Sequence, residues 1–214
     1  MHHHELLITP KAQILLSNFI GYTMNHLTFP LDHQEACGSR ENGNFFCADW
    51  WTLEVAKLLL LGPDLYLKEP LPRRLQQQGF YPSSIVWCHD IKMQTFEILL
   101  KLKDEVSSLV IAEVGRGLEL YLACLVRKDW EQIICYDNHP YGEYVNYFSN
   151  EFEAPIEFLK MSSNHPDKYE IINEKLKGNA IAIMTHSRST KEEAFPSNNN
   201  PKIKHVIYNG ELAR

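Results

Sequence analysis

The sequence predicts an α/β fold: a mainly parallel sheet with helices on both faces, preceded by a mostly helical N-terminal region. Three observations carry this. From Leu109 onward the short apolar runs LVIAEV, QIICYD, IEFLKM, AIAIMT and HVIYN alternate with helical stretches, and strands buried on both faces read as continuous apolar runs of this kind. Between the third and fourth runs, HPDKYEIINEKLKGN sets Pro166 in a first turn, Tyr169, Ile172 and Leu176 on one stripe, and Gly178 at the stop, which is how a crossover helix is written. Before Leu109 the apolar residues recur at helical spacing instead. Strand and helix in alternation imply a parallel sheet with right-handed crossovers.

Taken in order, KAQILLSNFIGYTMNHL carries Leu15, Leu16, Phe19 and Ile20 close to helical spacing. Residues 30 to 49 collect Gly, Asn, Ser and Asp with little periodicity and predict a long loop, a place where function often resides. DWWTLEVAKLLLLGP reads as a helix capped by Asp49 and stopped at Gly62 and Pro63. After a Pro-punctuated connection, DIKMQTFEILLKLKDEV places Ile91, Thr95, Ile98, Leu99 and Leu102 on one face. The expected organisation is a helical region over 1–103, serving as a cap or dimerisation surface, and a cofactor-binding domain over 104–214.

The chain has 214 residues, 44% apolar and 22% charged, enough for one sizeable core. Its formal charge of -6 offers no broad attraction for phosphate backbones or anionic lipid, so neither nucleic acid nor membrane is an expected partner. The partner expected is a small-molecule substrate, with a homo-oligomer as an option. Five cysteines are an odd number, with Cys124 and Cys135 inside an apolar helix and strand, which argues against a disulfide framework and for a cytoplasmic setting. No apolar run approaches the roughly 20 residues of a membrane span. The histidines that open the chain are assigned no role.

The chemistry gathers at the turn EVGRGLEL. Gly115 and Gly117 separate the run ending at Val114 from a helix starting near Leu118, so the backbone can turn tightly and approach a ligand with no Cβ between them. Asp137 closes the second run about 20 residues on from Gly117, where a carboxylate accepts hydrogen bonds from ribose hydroxyls. A dinucleotide fingerprint wants a third glycine where this chain has Leu120. Glu119, in the first helical turn, would compete with a pyrophosphate for the positive end of the helix. Both features favour an adenosine-type ligand without phosphates over NAD.

IAEVGRG followed by IICYDNHP resembles the first two motifs of class I S-adenosylmethionine-dependent methyltransferases, with Glu113, Gly115, Gly117 and Asp137 at the matching positions. EYVNYFSNEF and AIAIMTHSRSTKEEA resemble sugar O-methyltransferases, and the resemblance covers roughly residues 95 to 210. It implies a Rossmann-like domain, S-adenosylmethionine as cofactor and a hydroxyl on a small, sugar-like molecule as acceptor. Two departures stand out: the pattern's third glycine falls at Glu119, and Arg116 brings a long cation into the loop. The chain also ends soon after the fifth run, where that fold adds an antiparallel pair. YDNHP, IMTHSRSTKEEA and VIYNGELAR also resemble the Rossmann domain of xanthine dehydrogenase accessory factors, which handle molybdenum cofactor; Thr185, His186 and Gly210 match there.

His186 follows the fourth run at the carboxyl end of the sheet, where a near-neutral pKa suits it to take a proton from a hydroxyl; the plainer alternative is a surface histidine. Thr185, Ser187 and Arg188 would orient a polar acceptor, or cap a helix in TKEEAF. His89 and His139 read as structural, and no ligand spacing of the zinc type appears, so no metal is expected. Trp50 and Trp51 read as helix anchors, their loop as an optional lid. The reading that follows is an O-methyltransferase with His186 as base. Its rivals are a cofactor-handling protein and a degenerate domain serving protein contacts, which Arg116 and Glu119 favour.

Overall fold

A computed structural model describes residues 7, 9–25, 48–62, 64–65, 71, 76, 81–138, 141–162, 164–185 and 200–213. The chain forms two compact units, Met1–Asp90 and Ile91–Arg214.

The first unit holds α1 (Pro10–Asn25) and α2 (Ala48–Leu61), and α3 (Pro82–Leu102) begins in it. Proline at the first position of α1 gives up an N–H that would have no partner there, and Thr9 Oγ1 accepts from the Ala12 N–H at 3.2 Å as its cap. Ala12, Leu16, Phe19 and Thr23 form its buried stripe, so Leu15 and Ile20, grouped with them by spacing, lie only half-buried. Helix α2 begins at Ala48, which sets Asp49 inside the helix rather than before it as a cap. It ends as expected: Gly62 takes φ 90° and its N–H donates to Leu58 O at 2.8 Å.

The second unit is an α/β layer with a six-stranded sheet in the order β3-β2-β1-β4-β5-β6. The strands are β1 (Ser108–Ala112), β2 (Gln132–Asp137), β3 (Ile156–Lys160), β4 (Ala180–Met184), β5 (Ile203–Tyr208) and β6 (Glu211–Leu212); α4 (Leu118–Val126), α5 (Gly142–Tyr147) and α6 (Lys168–Lys175) connect them. β1 to β5 are parallel, and only β6 runs antiparallel. This is the predicted Rossmann-like architecture. Strands β1, β2 and β4 are buried along their whole length, which is why they read as unbroken apolar runs.

On one face Val110, Ala112, Ile134, Tyr136, Ala182 and Met184 pack with Ile172 of α6 and with Leu176 just after it. Full burial of Ile172 and Leu176 contributes about 1.5–3 kcal/mol each. Open carbonyls at the end of α6 are satisfied from outside the helix: Lys202 Nζ donates to Asn173 O and Leu176 O, and Gln132 Nε2 to Lys175 O. Because side chains alternate along a strand, Cys135 and Thr185 project to the opposite face.

Strand β6 has no counterpart among the predicted runs. Asn209 and Gly210 both have positive φ, 47° and 79°, which is the two-residue hairpin that an Asn-Gly pair favours. The pair was therefore a legible signal for a short antiparallel strand.

Candidate functional site

In an open parallel sheet the ligand crevice lies beyond the carboxyl ends of the strands, where the strand order reverses. Here that point falls between β1 and β4. The chain leaves β1 through a tight path: Glu113, Gly115 and Gly117 take φ of 51°, 50° and 84°, and Gly117 N–H donates to Val114 O at 2.9 Å. Positive φ is cheap at glycine and uncommon elsewhere, so Glu113 marks a locally imposed geometry. Gly117 then starts α4, and a Cβ there would lie 3.1 Å from Phe148 Cε2, a ring fully buried below it.

Asp137, the last residue of β2, reaches across to this loop. Its Oδ2 accepts from the Gly115 N–H at 2.9 Å, and the side chain is almost wholly buried. Val114 N–H donates to Tyr136 O at 3.2 Å, so the backbone pairing continues one step beyond β1. The turn and the second strand end are thus one construction. Sequence spacing brought Gly115, Gly117 and Asp137 together, and the structure joins the first and last by a hydrogen bond.

Arg116 lies between the two glycines and turns inward. Only 3% of it is exposed. Its guanidinium sits 3.9 Å from the ring centre of Tyr144 and 4.9 Å from that of Tyr141, and the two rings meet edge to face at 6.2 Å. A guanidinium over an aromatic face contributes roughly 0.5–2 kcal/mol, more as it is desolvated.

Glu119 does not present a bare carboxylate to the helix end. It pairs with Lys92 of α3, and Thr185, just past β4, donates to the same carboxylate. Lys92 Nζ also donates to Thr185 Oγ1 at 2.8 Å. All three side chains are about 95% buried. The expected conflict between Glu119 and an anionic ligand is therefore offset within the fold, since Lys92 compensates the charge in a low-dielectric setting. Lys92 escaped the sequence reading. It stands four residues after Cys88 and four before Phe96, both fully buried, and a lysine on such a stripe signals a buried partner.

The field of Glu119 reaches the sheet. Burial first, and Glu119 second, push the Cys135 thiol far above its ordinary range. A thiol raised in the folded state stabilises the protein below its unfolded value of about 8.5, and that contribution is lost as pH rises through and beyond it. Alkylation with iodoacetamide at pH 8.5 should accordingly spare Cys135 in native protein and modify it only after denaturation. Modification of native Cys135 at the unfolded rate would contradict its placement.

Of the remaining candidates, His186, Ser187 and Arg188 lie outside the described residues, as do His139, residues 30–47 and the TKEEAF stretch. Trp50 and Trp51 fall within α2, whose first side chains are likewise outside the description. His89 is buried on α3 and contacts Asp90 Oδ1 at 3.2 Å. Among the described residues no group of three or more His, Cys, Asp or Glu is placed to hold a metal ion, and no helix is long and apolar enough to cross a membrane. Comparison with protein-family models, curated proteins and solved structures finds no match.

Proposed function

We propose that Ile91–Arg214 binds an adenosine-type ligand, S-adenosylmethionine, at the carboxyl ends of β1 and β2, and that the protein transfers its methyl group to a hydroxyl of a small, sugar-like acceptor. The observation that carries this reading is the bond from Gly115 N–H to Asp137 Oδ2, which fixes a glycine turn against an acidic strand end. A carboxylate offers about four acceptor positions, the chemistry that a ribose hydroxyl calls for. Compensation of Glu119 by Lys92 makes the first turn of α4 compatible with a zwitterionic ligand. The antiparallel β6 beside β5 is in keeping with the methyltransferase resemblance.

When bound, S-adenosylmethionine supplies an electrophilic methyl group. The chain's own part is positioning the acceptor and removing its proton. Thr185 stands at the end of β4 on the crevice side, and His186, next in sequence, is the proposed base, with Ser187 and Arg188 as acceptor contacts. The two aromatic contacts of Arg116 favour a second reading, a domain that has kept the fold and given up its ligand for protein contacts.

Calorimetry separates the two. The methyltransferase reading expects saturable binding of S-adenosylhomocysteine, no binding of NADH, and at least about a tenfold loss in Asp137→Asn, since an amide keeps one acceptor oxygen for Gly115 but loses the carboxylate's capacity. Wild-type protein that stays folded yet takes up no S-adenosylhomocysteine sinks it. An unchanged affinity in Asp137→Asn removes Asp137 from the site.

A further inference from the structure

The loop that should receive the ligand already holds a planar cation of its own. We propose that the rings of Tyr141 and Tyr144 form the seat for the ligand's base, and that Arg116 is its internal occupant, which the ligand must displace. This rests on the adenosine-site reading above.

Arg116 lies in the Gly115–Gly117 turn, yet its side chain neither extends into solvent nor forms a rim. It is 3% exposed and folds over Tyr144, with Tyr141 as a second wall. The two rings stand perpendicular and the guanidinium lies over both, so together they bound a corner that suits a flat group. A guanidinium and a purine are both planar and stack on such faces, so each can fill the same corner. Tyr141 and Tyr144 follow by four and seven residues Asp137, the residue proposed to hold the ribose; a base attached to that ribose needs a stacking surface close by. Flanking Gly115 and Gly117, both at positive φ, give residue 116 a backbone that tolerates a change of direction on either side.

A protein whose competent state is only a minor population binds with an affinity reduced by that fraction. Giving up the stacking on the two rings lowers affinity about 2- to 30-fold, and the other contacts of Arg116 add to this. The chemical class taken by the corner is a purine ring or another planar π system, in competition with the guanidinium.

Calorimetric titration of Arg116→Ala with S-adenosylhomocysteine tests this, with Arg116→Lys as the companion and near-ultraviolet circular dichroism reporting the tyrosine environment. The expected result is tighter binding by Arg116→Ala, about tenfold, an intermediate gain for Arg116→Lys, and a tyrosine signal that changes when ligand enters wild type. Equal or weaker binding by folded Arg116→Ala, with wild type still binding, overturns the internal-occupant proposal alone. Absence of binding by both proteins overturns it together with the adenosine-site reading.

Discussion

Replacing Lys92 with methionine is expected to destabilise the second unit by about 3–5 kcal/mol, because it leaves Glu119 charged, buried and without its cation. The companion Lys92→Met/Glu119→Gln removes both charges at once. Its cost should be well below the single substitution, under about 2 kcal/mol, since a buried ion pair exchanged for groups of similar volume is often close to neutral. A positive coupling in the double-mutant cycle follows, because the residues share one network. Hydrogen exchange of the β1 and β4 amides measures this locally. Equal protection loss in the single and double variants would show that Glu119 does not depend on Lys92. Stability is the readout, since the network joins α3, α4 and the end of β4.

The second large effect lies at Gly117. Its φ of 84° disfavours any side chain by about 1–2 kcal/mol, and the added Cβ of Gly117→Ala would meet Phe148 at 3.1 Å. Phe148 cannot readily give way, being fully buried and packed edge to face on Tyr147 at 4.9 Å. A loss of about 2–3 kcal/mol is expected, with the turn displaced and ligand binding impaired. Gly21→Ala is the control of opposite sign. That glycine lies inside α1 with nothing within 4 Å of the new Cβ, so the change should add about 0.5–1 kcal/mol through helix propensity. If thermal unfolding shows Gly117→Ala to be as benign as Gly21→Ala, the left-handed turn is not required.

These effects show where the sequence was transparent. Strand runs such as QIICYD were legible because the sheet buries both faces, and Gln132 to Asp137 is buried throughout. The glycine turn and Asp137 were legible because a left-handed strand-to-helix turn needs glycine and the acidic end of the neighbouring strand falls beside it, where Asp137 Oδ2 accepts from Gly115 N–H. Lys92 was opaque for a physical reason. Its partners Glu119 and Thr185 lie far along the chain, and only the tertiary fold states which charge a buried lysine will meet. Arg116 read as an intrusion into the cofactor loop because its direction was unknown; the structure folds it onto Tyr141 and Tyr144 instead. Asp49 failed as a cap because helix ends shift by a residue or two with context, whereas Gly62 succeeded because a left-handed stop needs glycine. Strand β6 was passed over although Asn209 and Gly210 announced it.

The central claim is that the Gly115 turn and Asp137 together hold an adenosine-type ligand. Its most direct measurement is a titration of isotopically labelled protein with S-adenosylhomocysteine, following the amide resonances. The account predicts saturable shifts at Gly115, Gly117 and the amides next to Asp137, sharing one dissociation constant, while the buried amides of β5 stay still. A well-dispersed spectrum in which none of the loop resonances moves at high micromolar ligand would contradict it.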